Sequence, residues 1–204
     1  MGFTSTVQAG YNFYSQASQD AFVHILVNDI EKKKDVGCYL EIGSAHPVNI
    51  NNTYFFEKNY NWKGISIDLA IEYKAPWSGI RQNPLLTEDA TKVDYYSILK
   101  SFPNIIDYLS LDVDGNYDTV LERLPFNEHT FKIITIEHDF YRFGDYYRKR
   151  EREILTSFGY YLLCPDVCHP RVGSFEDWWI HPRAFSKEIF VELASLDLKQ
   201  KYHN

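Results

Sequence analysis

The sequence holds 204 residues, 45% hydrophobic and 24% charged, which suits one domain with a complete core. A net charge of −7 argues against DNA or RNA as a partner, because phosphate binders usually present a basic face. No apolar run approaches the roughly 18 residues of a membrane span, and MGFTSTVQAGYNFYSQ lacks the basic start and apolar stretch of a secretion signal. A cytoplasmic protein with no membrane partner and three free cysteines is therefore expected.

Residues 1–17 read as an N-terminal extension. From Ser18, the apolar residues Phe22, Ile25, Leu26 and Ile30 recur at helical spacing, with Ser18 as the cap and Asp20 at the positive helix start. Gly37 follows the polar end of that helix, and residues 38–42 (CYLEI) read as a buried strand. A helix over 52–60 and a strand over 64–69 (GISIDL) come next. A weaker strand is placed at 84–87 and a helix at 93–102. Residues 108–113 (YLSLDV) form a strand, 117–124 a helix and 131–137 (FKIITIE) another strand. The helix over 147–158 carries Ile154, Leu155 and Phe158 on one face and Gly159 as its C-cap. Strands at 160–163 and 175–180 flank the turn-rich CPDVCHPRVG, and 185–204 reads as a C-terminal tail.

Alternating strands and helices predict a single α/β domain spanning 1–204. It would be a Rossmann-like, mostly parallel sheet with helices on both faces and an antiparallel strand near the C-terminus. Ligands in such sheets sit outside the carboxyl ends of the strands. The positions that matter are then Glu41 to Pro47, Asp68, Asp112 to Gly115, and Glu137 to Asp139, and they bring carboxylates from four strand ends to one rim. In Glu41-Ile42-Gly43-Ser44-Ala45-His46-Pro47 an acid ends the strand and Gly43 allows a tight turn. Two of the three glycines of a dinucleotide loop are missing, which disfavours NAD or FAD. Asp68, ending the next strand, can accept both hydroxyls of a ribose, or it can be a solvated Asp.

Four stretches carry a family resemblance: SQASQDAFV (15–23), YLEIGSAHPVNINNTYFFEKNYNWKGISID (39–68), YLSLDVDGNYDTVL (108–121) and IITIEHDF (133–140). Together they resemble the FkbM-like methyltransferases, which use S-adenosylmethionine (SAM). The chain departs from that family at Ala45-His46-Pro47, at Asn51-Asn52-Thr53 and at Asp112-Val113-Asp114-Gly115. The resemblance implies that Glu41, Gly43 and the adjoining Ser44 hold the amino-acid end of SAM. It also implies that Asp68 holds the ribose and Asp89 the adenine amino group, with Gln19 and Asn52 along the pocket. Gln19 as a helix-start residue and Asn52 as a cap are the plainer readings.

Asp112, Glu137 and His138 form the catalytic candidates, with Asp114 joining them as a metal-ligand candidate. Metal-dependent O-methyltransferases look similar at these strand ends, so the four could ligate Mg²⁺ or Mn²⁺. His138 could instead act as a metal-free general base, or the acids could simply pair with Arg142 or Arg148. Cys164, Cys168 and His169 offer an incomplete zinc set. The run Arg148 to Arg152 reads as a solvated helix face or a seat for an anionic acceptor, and Trp178-Trp179 as core or a sugar-stacking wall. The resulting expectation is a SAM-dependent methyltransferase acting on a hydroxyl of a small-molecule or glycan-precursor acceptor, with homo-oligomerisation left open. An N-methyltransferase and a non-catalytic Rossmann-like binding module are the alternatives.

Overall fold

The computed structural model describes residues 10–195. Seven strands form one sheet in the order β3-β2-β1-β4-β5-β7-β6. They are β1 (Cys38–Ile42), β2 (Lys63–Asp68), β3 (Leu85–Thr87), β4 (Ile105–Leu111), β5 (Thr130–Glu137), β6 (Tyr161–His169) and β7 (Gly173–Ile180). The first five run parallel, and β7 enters antiparallel between β5 and β6. This is the expected Rossmann-like architecture. Among the described residues eight α-helices surround the sheet: α1 (Gln19–His24), α2 (Tyr54–Tyr60), α3 (Lys74–Ile80), α4 (Tyr95–Leu99), α5 (Tyr117–Arg123), α6 (Phe140–Phe143), α7 (Tyr146–Ser157) and α8 (Lys187–Ser195).

Side chains alternate across a strand, so each strand feeds two cores. Leu40, Ile67, Leu109, Ile134 and Trp179 pack with Leu121 of α5 and Leu155 of α7. Tyr39, Tyr108, Ile133 and Trp178 pack on the opposite face with Phe22 of α1 and Phe55 of α2. Burial on both faces explains why β1, β4 and β5 read as near-continuous apolar runs. Trp178 and Trp179 are fully buried, so they are core and not a sugar-stacking wall.

Several expectations need correction. Ser18 has a left-handed φ of 70° and makes no side-chain cap. Asp20 organises the helix start instead, accepting from the backbone N–H groups of Tyr14, Ser15 and Ala21. The first helix also widens into a π-helical segment at Ile25–Ile30. CPDVCH is not a turn but the continuation of β6, with three register breaks against β7 and a left-handed Asp166. The 1–17 extension is partly integral, because Phe13 stacks on Phe55 at 4.5 Å between ring centroids. The 185–204 tail includes α8, whose Leu193 is buried; residues 1–9 and 196–204 lie outside the described residues. Helix α3 carries Pro76 in its first turn, where the missing N–H costs nothing.

One buried cation fixes the ground beneath the strand ends. Arg81, just after α3, donates through Nε to Glu57 (2.7 Å), through Nη1 to the Pro47 carbonyl (3.2 Å) and Asn51 (3.0 Å), and through Nη2 to Tyr39 (2.8 Å) and Thr53 (2.9 Å). All five guanidinium donors are used. They tie β1 and α2 to the loop that follows β1.

Candidate cofactor and acceptor site

The loop after β1 lies across its neighbours' ends. Gly43 N–H and Ser44 N–H both donate to the Ile67 carbonyl (2.8 and 3.3 Å), and Asp112 N–H donates to the Ile42 carbonyl (2.8 Å). Gly43 has φ 82°, and a Cβ there would come within 1.5 Å of the Asp112 carbonyl oxygen. The two strand ends therefore touch backbone to backbone. Gly43→Ala should cost about 1–3 kcal/mol in stability through backbone strain and displace the loop. Thermal melting checks the first effect and calorimetric SAM titration the second; an alanine variant that melts like the wild type would refute the close approach.

Above this contact opens a cleft of about 520 Å³, lined among others by Gly43, Asp68, Glu88, Asp89, Asp112 and Asp114. Asp68 is held by two backbone amides, Ala45 N–H to Oδ2 (2.6 Å) and Ala70 N–H to Oδ1 (2.7 Å). Each oxygen keeps a second lone-pair site for an incoming hydroxyl. Asp89 accepts from Thr91 through Oδ1 and pairs with Lys92 at 2.7 Å. Those hydrogen bonds pull its carboxyl down to about 2.

Of the seven residues expected at the cofactor, Gly43, Asp68 and Asp89 line the cleft. Glu41, Ser44, Gln19 and Asn52 do not. Glu41 is buried below the loop, accepting from Ser66 (2.7 Å) and Thr53 (2.9 Å). Burial raises its carboxyl pKa, with Arg81 opposing. Asn52 donates to Ser110 (2.9 Å), Gln19 donates to Glu176 (2.8 Å), and Ser44 is buried. These four support the site from underneath.

Beside the cleft stands a row of acids. Leu111 pairs with Ile136, so Asp112 and Glu137 occupy the next step of the β4–β5 ladder, and Glu137 pairs directly with Glu176 of β7. Three carboxyls thus stand side by side across three strands, on the face that α1 covers. Burial pushes Asp112 up to about 7, Glu137 up to about 12 and Glu176 up to about 8. Asp112 and Glu137 share a hydrogen bond, which requires one proton between them. Next to them Asp139 accepts from Tyr117 Oη at 3.1 Å. Glu176 could not be picked out from sequence, since only the antiparallel register of β7 brings it here.

His138 is not part of this row. Its neighbour Glu137 faces α1, so His138 faces α7 on the other side of the sheet. The ring is fully buried, Nδ1 accepts from Phe140 N–H (3.2 Å), and burial pushes its pKa down to about 4. The expected metal set of Asp112, Asp114, Glu137 and His138 is therefore not assembled. Asp114 points outward and pairs with Arg142 (3.2 Å), so structural pairing accounts for that residue alone. A base role for His138 at the rim is likewise excluded by its burial. Cys164, Cys168 and His169 do not converge into a metal-ligating group among the described residues. Residues 148–152 are no free solvated face: Arg148 and Arg152 hold Asp166 and Asp177, and Glu151 is fully buried.

Solved structures of similar shape include the plantazolicin methyltransferase BpumL in complex with SAH (13% identity, TM-score 0.53, covering 81% of this chain and 82% of that one). A human methyltransferase 10 domain containing protein matches with 12% identity and TM-score 0.51 over 80% of this chain and 82% of its own. A Clostridium thermocellum protein described provisionally as an rRNA-methylase matches with 11% identity and TM-score 0.50 over 83% and 97%. No family model and no curated protein matches the sequence. The chain thus has the fold of known methyltransferases.

Proposed function

We propose that this chain is a SAM-dependent methyltransferase that modifies a hydroxyl of a small polar acceptor, a sugar being the class that the FkbM-like motifs favour. The observation that carries the reading is the acid-lined cleft at the strand ends, which meets a proton-sharing carboxyl pair at Asp112. The cleft volume falls within the roughly 300–1,000 Å³ of small-molecule sites. Its carboxylates suit a cofactor that carries positive charge on sulfur and nitrogen, and Gly43 lets the two strand ends beneath the cleft touch backbone to backbone. When bound, that cofactor supplies a methyl group on a positively charged sulfur.

The chain's own residues do the rest. Asp68 offers its remaining acceptor sites to the ribose hydroxyls, and Asp89 faces the adenine end. Backbone at Gly43 and Ala45 shapes the wall. Asp112 takes the acceptor's proton, and Glu137 behind it tunes that carboxylate through the shared hydrogen bond. Holding methyl and oxygen in line supplies much of the acceleration. Negative charge around the cleft favours the cationic cofactor over its neutral-sulfur product, which helps product leave. The same charge disfavours a polyanionic acceptor, so nucleic acid should incorporate no label from radioactive SAM in a filter assay.

Calorimetry tests the cofactor directly. SAM should bind with a dissociation constant between low micromolar and sub-millimolar, and Asp68→Ala should weaken it by about 1.5–3 kcal/mol, the value of charge-assisted hydrogen bonds. A thermal melt of the variant separates lost contacts from a loosened loop. Absence of SAM binding to the wild-type chain would refute the proposal.

A further inference from the structure

The buried cluster behind the acid row has no role in the methyl-transfer reading. His138 at the end of β5, Glu151 of α7 and Asp177 of β7 offer ligand atoms that all lie within 4.8 Å of one another, and the three residues are buried. His138 Nε2 stands 3.8 Å from Asp177 Oδ1. His138 Nε2 has no hydrogen-bond partner although the residue is 0% exposed, and the buried Glu151 carboxyl faces the carboxyl of Asp177, which it can bond only through a shared proton. Polar atoms so deeply buried normally have a partner. The surrounding charge is also unbalanced. Glu151, Asp166 and Asp177 bring three carboxyls, against the two guanidiniums of Arg148 and Arg152. That leaves one negative charge for a proton or a cation to offset.

We propose that His138, Glu151 and Asp177 form a structural binding site for Zn²⁺ that staples α7 to β5 and β7. Full burial leaves no place for the several waters that Mg²⁺ keeps or the six to eight oxygens that Ca²⁺ takes. A four-coordinate ion of the zinc class, with nitrogen and oxygen ligands at about 2.0–2.2 Å, matches three protein residues, with Glu151 able to give both oxygens. Asp177 is oriented from behind by Arg152, whose Nε and Nη2 meet its two oxygens at 2.7 and 2.9 Å, an arrangement of the outer-ligand kind. Ligation through Nε2 moves the imidazole proton to Nδ1 and gives up the long Phe140 amide contact, a small loss.

The rival occupant of the same space is a proton shared between Glu151 and Asp177. Glu151→Gln separates the two, because the amide can still donate to Asp177 but loses the anionic ligand. Chelator-stripped wild-type protein should take up one Zn²⁺ per chain in competition with a chromophoric chelator. At a free Zn²⁺ concentration of about a hundred times the dissociation constant, its melting temperature should rise by about 5–10 °C. Glu151→Gln should melt like the stripped wild type and bind Zn²⁺ about a hundredfold more weakly or not at all; His138→Gln should behave likewise. Co²⁺ in the wild type should give visible bands without thiolate charge transfer. Absence of stoichiometric Zn²⁺ uptake, unchanged binding in Glu151→Gln, or thiolate bands that move the ion to Cys164 and Cys168 would each overturn the site.

Discussion

Replacing Arg81 with methionine should destabilise the fold by about 3–5 kcal/mol, the cost of removing one partner from a buried ion pair. The side chain is fully buried and fills every one of its five donor positions. Burial alone would raise the pKa of Glu57, and the guanidinium beside it brings that carboxyl below its ordinary range instead. Without the cation Glu57 is left charged in a closed space, and Glu41 loses the one positive group that opposes its own burial. Arg81→Lys keeps the charge with three donors in place of five, so it should recover only part of the loss. Urea unfolding followed by circular dichroism reads both variants. A methionine variant within about 1 kcal/mol of the wild type would show that the network is expendable.

The largest effect on activity should come from Asp112→Asn, with turnover falling by about 10²–10⁴-fold, the range for loss of a positioned general base. The pH profile makes the assignment specific. Burial pushes the Asp112 carboxyl up to about 7, and only its deprotonated form accepts a proton. Turnover should therefore rise with pH through an inflection near 7 and level off above it, and this inflection should vanish in Asp112→Asn. Glu137 is protonated near pH 7, its carboxyl pushed up to about 12, so Glu137→Gln keeps a neutral donor toward Asp112. It should leave the inflection near 7 and reduce turnover less than Asp112→Asn. Measuring SAM affinity in parallel keeps cofactor loss apart from loss of the base. An asparagine variant within tenfold of wild-type turnover would remove Asp112 from the chemistry.

The parts of this fold that the sequence spells out are those where local pattern and tertiary burial agree. The runs CYLEI and FKIITIE are strands in the structure to within a residue, because a strand covered on both faces has no reason to alternate. The same logic shows why β6 was obscured. Pro165 and the polar residues around it have turn chemistry, and they are kept extended only by β7 beside them. At the site, Asp68, Asp112 and Glu137 follow from their places at strand ends. Glu176 depends on the register of a distant antiparallel strand, which no local signal sets. His138 differs because the alternation of β5 carries on past its last residue, so Glu137 and His138 face opposite sides of the sheet. Glu41 sits two residues further from the rim than Gly43, on a position that points into the sheet's packed face.

The irregularity of β6 has a consequence for how this molecule behaves in a crowd. A seven-stranded open sheet presents two free edges, and a long flat edge is a template on which another chain can add a strand. Here one edge is β3, only three residues long. The other is β6, where Pro165 lacks an N–H to offer, Asp166 is turned left-handed, and the pairing register breaks three times. Neither edge offers an incoming strand a regular ladder of donors and acceptors. Among the described residues neither edge favours strand addition between two copies, and straightening β6 by removing Pro165 and its bulges should make the protein prone to edge-to-edge aggregation.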